Sequence, residues 1–264
     1  MPTCARQQNT GFRPPGFTLV ELVVVLVLLS ITALTLTTIF SDSVTAYLDS
    51  AARQERALSG RAAVDRLSRE LREAMPLSIR VGDGGRCLQF LPIVAASFYS
   101  ELTTPATRIP VAPFALTSTA GLYVAIAPTD AASLYNQIAL APVSAVERDA
   151  GNNVIAINLN PAKSFPRTTP GQRVFLVAQP VSYCLLANGE IRRGTSALNT
   201  QPARSDLAAG ALLSNGLDGA SATTTFTYTL GSTRANALVT MNFEYLRRGE
   251  RLTFNHEVRL RNVQ

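Results

Sequence analysis

The 264 residues are 47% hydrophobic and only 16% charged, which excludes a chain that stays disordered for want of apolar surface. The formal charge of +6 is a modest basic balance carried almost wholly by arginine, with Lys163 the single lysine. One histidine and three cysteines form no cluster with the spacing of a zinc site.

At the N-terminus a short leader contains Arg6 and Arg13 and no acid, and it ends at Gly16. Phe17, Thr18, Leu19, Val20 and Glu21 follow, and then twenty residues, 22–41, without any charge. That run is long enough to cross a bilayer as a helix. A carboxylate near the middle of a membrane helix costs about 2.5 to 3.5 kcal/mol, and less towards the headgroups. The placement of Glu21 therefore needs a reward.

The helical pattern continues with a changed character. Tyr47, Ala51, Leu58, Ala62, Leu67, Leu71 and Ala74 give an apolar stripe of about 3.6-residue period. On the opposite face Asp49 with Arg53, and Asp65 with Arg69, are acid-before-base pairs at i, i+4. Pro76 ends the pattern, so 17–75 is predicted to be one helix that Gly60 bends slightly.

From residue 77 the period shortens and turn residues punctuate the chain, the signature of antiparallel strands. Gly82, Asp83, Gly84 and Gly85 predict a turn. Strands are predicted at 87–93, 122–127, 154–159, 173–178 and 181–186, with Asn188 and Gly189 turning the last into 191–193. The clearest alternation is at 223–230, 237–246 and 251–261, with 247–250 as a hairpin turn. The stretches 95–119 and 194–222, rich in Ala, Ser, Thr, Pro and Gly, are expected to be loops. There is no internal repeat.

The spacing of Gly16, Phe17 and Glu21 before an uninterrupted apolar helix resembles the type III signal of type IV prepilins and pseudopilins. The resemblance implies that prepilin peptidase cuts between Gly16 and Phe17 and that Phe17 becomes the N-methylated terminus. It also implies that the new amine and Glu21 of a neighbouring subunit neutralise one another in a filament core. The implied fold class is α+β, a long N-terminal helix with a membrane-embedded first half, packed on a mainly antiparallel β-sheet domain. Its parts are a cleaved leader 1–16, a membrane or filament-core half-helix 17–41, an amphipathic half-helix 42–76 and a β-rich globular domain 77–264. Two shorter explanations of the N-terminus compete: a secretory signal peptide cut near 30–33 and an ordinary signal anchor. The first is opposed by Glu21, and the second leaves the spacing of Gly16, Phe17 and Glu21 to chance.

Leader arginines against Asp42 and Asp49 after the apolar run orient the chain with its leader in the cytoplasm, so the C-terminal domain is expected in the periplasm on a single inner-membrane pass, later in a pilus or pseudopilus. Cys4 then leaves with the leader, and Cys87 with Cys184 remain as an even number in an oxidising space. They are predicted to form a disulfide, with two buried free thiols as the alternative. Implied partners are prepilin peptidase, other minor and major pilins or pseudopilins through the N-terminal helix, the inner-membrane assembly platform and the inner membrane itself.

Within that superfamily Thr38 stands where a major pilin usually has proline. The segments 67–75, 181–186 with Cys184, and His256 to Leu260 resemble the larger minor prepilins of the PilW and MshO type, the latter from the mannose-sensitive haemagglutinin (MSHA) pilus. A minor pseudopilin of a type II secretion system, of the GspJ class, is the alternative, and an anchored binding module that never polymerises is a third.

Catalytic chemistry is nearly absent from the sequence. His256 lies in a predicted strand, no glycine loop ends in the Lys-Ser or Lys-Thr of a phosphate cradle, and no nucleophilic triad is defined. The chain is therefore expected not to be an enzyme and to hold no cofactor or metal. Asp83 and Asp218 lie beside glycines but lack the repeated carboxylates of a calcium site, so turn formation explains them better. Arg192, Arg193, Arg247, Arg248 and Arg251 form basic clusters on predicted turns. DNA binding would need them on one face, with stacking aromatics for a single strand, and the sequence argues against nucleic acid as a partner.

Overall fold

The computed structural model describes residues 16–220, 224–231, 236–247 and 250–260. The chain divides into two compact units, 1–54 and 55–264, with one helix, α1 (Leu19–Arg72), contributing to both. The fold class is α+β, an apolar N-terminal helix followed by antiparallel sheets.

In the first unit the described residues form the start of α1, and every residue from Gly16 to Ala51 is exposed. The helix is capped where it begins. Thr18 Oγ1 accepts the Glu21 N–H at 3.3 Å, and Thr18 O accepts the Leu22 N–H at 3.2 Å, satisfying donors that a helix N-terminus otherwise leaves orphaned.

In the second unit the last turns of α1 bury Gly60, Ala63, Val64, Leu67, Ser68 and Leu71. This stripe differs from the expected one. Leu67, Leu71 and Ala74 are buried, whereas Leu58 and Ala62 are exposed, because the contact face is set by Gly60. A Cβ built on Gly60 would lie 2.4 Å from Phe254 Cε2, so the missing side chain is what lets that ring in. The helix runs unbroken through Gly60. Asp65 and Arg69 make no ion pair among the described residues; the i, i+4 pair on this stretch is Arg66 with Glu70, at 3.4 Å.

The helix packs on two antiparallel sheets. The first has the order β1 (Arg80–Gly82), β2 (Cys87–Phe90), β9 (Val181–Leu185), β10 (Ile191–Thr195), β11 (Ala211–Ser214). The second is β12 (Phe226–Thr229), β13 (Leu238–Arg247), β14 (Glu250–Arg259). A bridge of Leu217 to Tyr245 joins them, reinforced by Asp218 N–H donating to Glu244 O at 2.7 Å. One apolar core gathers Val64, Leu67 and Leu71 with Phe90, Tyr183, Phe226, Phe243, Tyr245 and Val258. The turn predicted at Asn188 and Gly189 is present, with Gly189 at φ +79° and its would-be Cβ 2.2 Å from Leu217 O. Only glycine meets both conditions.

Between β2 and β9 the chain makes a long excursion that forms a module of its own. Its six strands lie in the order β3 (Ile93–Phe98), β8 (Arg173–Val177), β5 (Tyr123–Ala125), β6 (Leu140–Arg148), β7 (Val154–Lys163), β4 (Ala106–Phe114). The two end strands meet: Tyr99 bridges Val111, Ser100 N–H donates to Pro110 O at 3.1 Å, and Ser97 Oγ donates to Ala112 O at 2.7 Å. These contacts draw the sheet round into a small barrel, in which β3 and β4 meet through a single bridge and share no regular ladder. Its interior holds Ile109, Val124, Ile157, Leu176 and Phe165. Two stretches expected to be loops therefore contain strands. Residues 95–119 carry most of β3 and all of β4, and 194–222 carry β11 and the end of β10.

Candidate functional site

The sequence concentrates its signal at the start of α1. Phe17 is exposed, as is Glu21, and Glu21 occupies the first helical turn, where a carboxylate is favoured by the unpaired N–H groups of the helix end. Thr18, three residues before Glu21, is the capping residue of this helix end. Its hydroxyl fixes where the helix begins and hence where Glu21 sits. The sequence signal was available, since Thr-x-x-Glu before an apolar run is a capping-box pattern.

The apolar segment carries many hydroxyls, and the helix absorbs them. Ser30 Oγ donates to Leu26 O at 2.7 Å, Thr37 Oγ1 to Ala33 O at 2.6 Å, and Ser43 Oγ to Ile39 O at 2.7 Å. Thr32, Thr35, Thr38 and Thr45 bond back to carbonyls in the same way. A donor satisfied within its own helix imposes little cost in lipid or against apolar neighbours. By length and composition α1 can span a membrane.

Cys87 and Cys184 are bonded, with S–S 2.00 Å and Cα atoms 4.1 Å apart. They stand directly opposite one another on β2 and β9 and are fully buried. These two strands are the ones between which the barrel is inserted.

Barrel and sheets are knit together around Arg80. Its guanidinium donates to Gln89 Oε1 at 2.5 Å and to the carbonyls of Leu198 and Thr200, and it lies over the Tyr135 ring at 3.6 Å. Tyr135 Oη donates to Ser78 O at 2.8 Å. Gln89 Nε2 donates to Ser182 Oγ and Ser196 Oγ at 2.9 and 2.5 Å. Burial lowers the Arg80 pKa, and it raises that of the Tyr135 phenol against the pull of Arg80.

The remaining sequence candidates resolve into ordinary structure. Asp83 pairs with Arg204 at 2.6 Å, and Asp218 Oδ1 accepts the Ala220 N–H at 3.1 Å. Among the described residues no group of three or more His, Cys, Asp and Glu side chains is placed to hold a metal. Arg192 pairs with Glu190 at 2.7 Å, Arg193 with Glu70 at 3.0 Å and Arg251 with Glu244 at 3.3 Å. Arg193 thereby ties β10 to α1. Arg248, the Arg247 side chain and the leader residues Cys4, Arg6 and Arg13 lie outside the described residues. His256 is exposed on β14.

Residues 15–37 match the family model described as the prokaryotic N-terminal methylation motif. No curated protein and no solved structure matches the chain. The matched segment supports a type IV pilin-like or pseudopilin precursor, of the kind processed by prepilin peptidase. With its apolar helix it fits a membrane-anchored subunit of pilin-type assembly.

Proposed function

We propose that this protein is a minor pilin, a low-copy structural subunit of the priming or tip complex of an MSHA-type pilus, and not an enzyme. The observation that carries the reading is the methylation motif at 15–37 set at the head of a 54-residue helix. Cleavage between Gly16 and Phe17 frees an amine, Phe17 becomes N-methylated, and the ammonium of one subunit neutralises Glu21 of the next. Pairing removes the cost of a lone carboxylate in apolar surroundings and sets subunits in one axial register.

The minor-pilin part of the proposal rests on sequence resemblance in three segments far apart in the chain, which share one core. Leu67 and Leu71 of α1, Tyr183 of β9, and Val258 and Leu260 at the C-terminal end of the second sheet lie in the same cluster. These are the segments that resemble PilW- and MshO-type subunits. The inserted barrel adds surface for subunit-specific contacts, as insertions on a rigid scaffold commonly do.

Mass spectrometry of the purified native product tests the reading. A chain starting at N-methylated Phe17 is expected, and retained leader residues or processing well downstream of Glu21 would overturn it. Glu21→Ala should be cleaved normally yet fail to co-assemble with other pilins, and normal co-assembly would remove Glu21 from the mechanism.

A further inference from the structure

The six barrel strands alternate in direction around the sheet. Three connections therefore leave from one end: β3–β4 (99–105), β5–β6 (126–139, carrying the short helix α2, Ala131–Tyr135) and β7–β8 (164–172). They surround an open cleft of about 1040 Å³ lined from all three. The mouths of β-barrels are among the places where ligand sites occur by preference.

The lining has a distinct chemistry. Two cations face the cleft, Lys163 and Arg167, and among the described residues no carboxylate lines it. Lys163 Nζ donates to Gln137 O at 2.5 Å, which fixes the ammonium without neutralising it. Arg167 is exposed and has no hydrogen-bond or ion-pair partner among the described residues. Of the other barrel arginines, Arg108 is held by Glu147 at 2.7 Å and Arg148 by the carbonyls of Leu116 and Asn152 at 2.9 and 2.8 Å, whereas Arg173, at the start of β8 and outside the lining, is exposed like Arg167. Asp130 stands on the α2 loop, but its carboxylate accepts the Ser133 N–H at 2.7 Å as a helix cap. Glu101, on the β3–β4 loop, is exposed and outside the lining.

Around the two cations the cleft presents amides and hydroxyls: Thr104, Asn136, Gln137, Ser164 and Thr168. Phe165, buried in the barrel interior, also borders the cleft. Backbone in the left-handed region concentrates in the same loops, at Ala127, Gln137 and Gln172, with φ of 48°, 55° and 49°. Such conformations recur at ligand-binding positions.

We propose that this barrel end binds an acidic saccharide, with Arg167 and Lys163 holding a sugar carboxylate and the amides and hydroxyls meeting ring hydroxyls. A guanidinium engages a carboxylate through two parallel hydrogen bonds, and charge-assisted bonds are about twice as strong as neutral ones. The cleft's lining offers no exposed aromatic ring on which bases would stack, so its chemistry favours a sugar acid over a nucleic acid. The inference is independent of which assembly the N-terminal helix joins.

The test uses the full-length protein in detergent, an oligogalacturonate as probe, and about 0.15 M salt to suppress non-specific attraction. The K163Q/R167Q variant should weaken binding by roughly tenfold or more. R61Q/R69Q, which removes the same number of charges from α1, should leave binding unchanged. R167Q alone, whose guanidinium has no partner to lose, should weaken binding several-fold and keeps the test decisive if the double variant melts early. Absent binding of the oligogalacturonate overturns the proposal, as does equal loss in the α1 variant. It is also overturned if a single-stranded oligonucleotide of matching charge binds more tightly through the same two residues.

Discussion

The two ends of α1 have the same backbone and opposite surroundings. Between Leu19 and Ala51 no side chain is covered, and the apolar residues occur all round the helix, with serine and threonine hydroxyls turned back onto its own carbonyls. Between Gly60 and Leu71 a narrow stripe is fully buried while arginines and acids occupy the rest. A helix that is apolar all round asks for lipid or for other helices, whereas an amphipathic one is completed by its own domain. The contrast teaches that the second half supplies folding energy and the first half presents an apolar surface that no described residue covers.

Substitutions along α1 can break that division. Leu67→Ala, in the fully buried stripe, should destabilise the second unit by about 2 to 5 kcal/mol in urea unfolding. A loss as small as that of an exposed residue would mean that the stripe is not the anchor. Removing the disulfide as Cys87→Ser with Cys184→Ser should cost a comparable 2 to 5 kcal/mol or so, read as a lower denaturation midpoint with the same secondary structure. Gly60→Ala places a methyl group against Phe254 and should cost about 1 to 3 kcal/mol through overpacking. Leu26→Ala, in the exposed half, should leave the unfolding of the second unit unchanged and weaken membrane insertion by only about 0.5 kcal/mol.

The smallest effect is a pH dependence confined to the alkaline side. Burial raises the pKa of the Tyr135 and Tyr183 phenols, so the folded state favours their neutral forms. That contribution is intact below the unfolded tyrosine value of about 10 and is lost as pH rises beyond it. The denaturation midpoint should hold up to that pH and then fall, and Tyr135→Phe should flatten the fall. An equal slope in the variant would show that Tyr135 titrates freely in the fold.

Legibility in the sequence divides along physical lines. The long helix was readable because its period is local, but it ends at Arg72, three residues before the predicted end, where Glu73 O accepts the Ile93 N–H and Met75 N–H donates to Leu91 O. The N-terminal signal was readable because one carboxylate beside an uncharged run is conspicuous. The buried stripe was misplaced by part of a turn, because leucine and alanine at 58 and 62 match the period as well as 60, 63 and 64 do. What decides between them is the ring of Phe254, almost two hundred residues away.

Strand β4 was hidden by Pro110 and Pro113. Proline is tolerated in an end strand, where half of the backbone groups need no regular ladder, and β4 has regular pairing only with β7. Strand β6, Leu140–Arg148, alternates weakly. Closure of the barrel depends on which distant strands meet, and no local pattern encodes that. The cleft at its mouth was invisible for the same reason, since Lys163 and Arg167 acquire meaning only beside Asn136, Gln137 and Thr104.

The bond between Cys87 and Cys184 joins the strands on either side of the barrel, 97 positions apart in sequence. Tension applied along the chain from α1 to the C-terminal strands consequently bypasses the barrel, because the covalent shortcut bears the load. About 330 Å of extensible contour, at roughly 3.4 Å per residue, is withheld from the stretched path while the bond is intact. Under traction the helix and the two sheets of the second unit carry the strain while the barrel and its cleft remain mechanically unloaded.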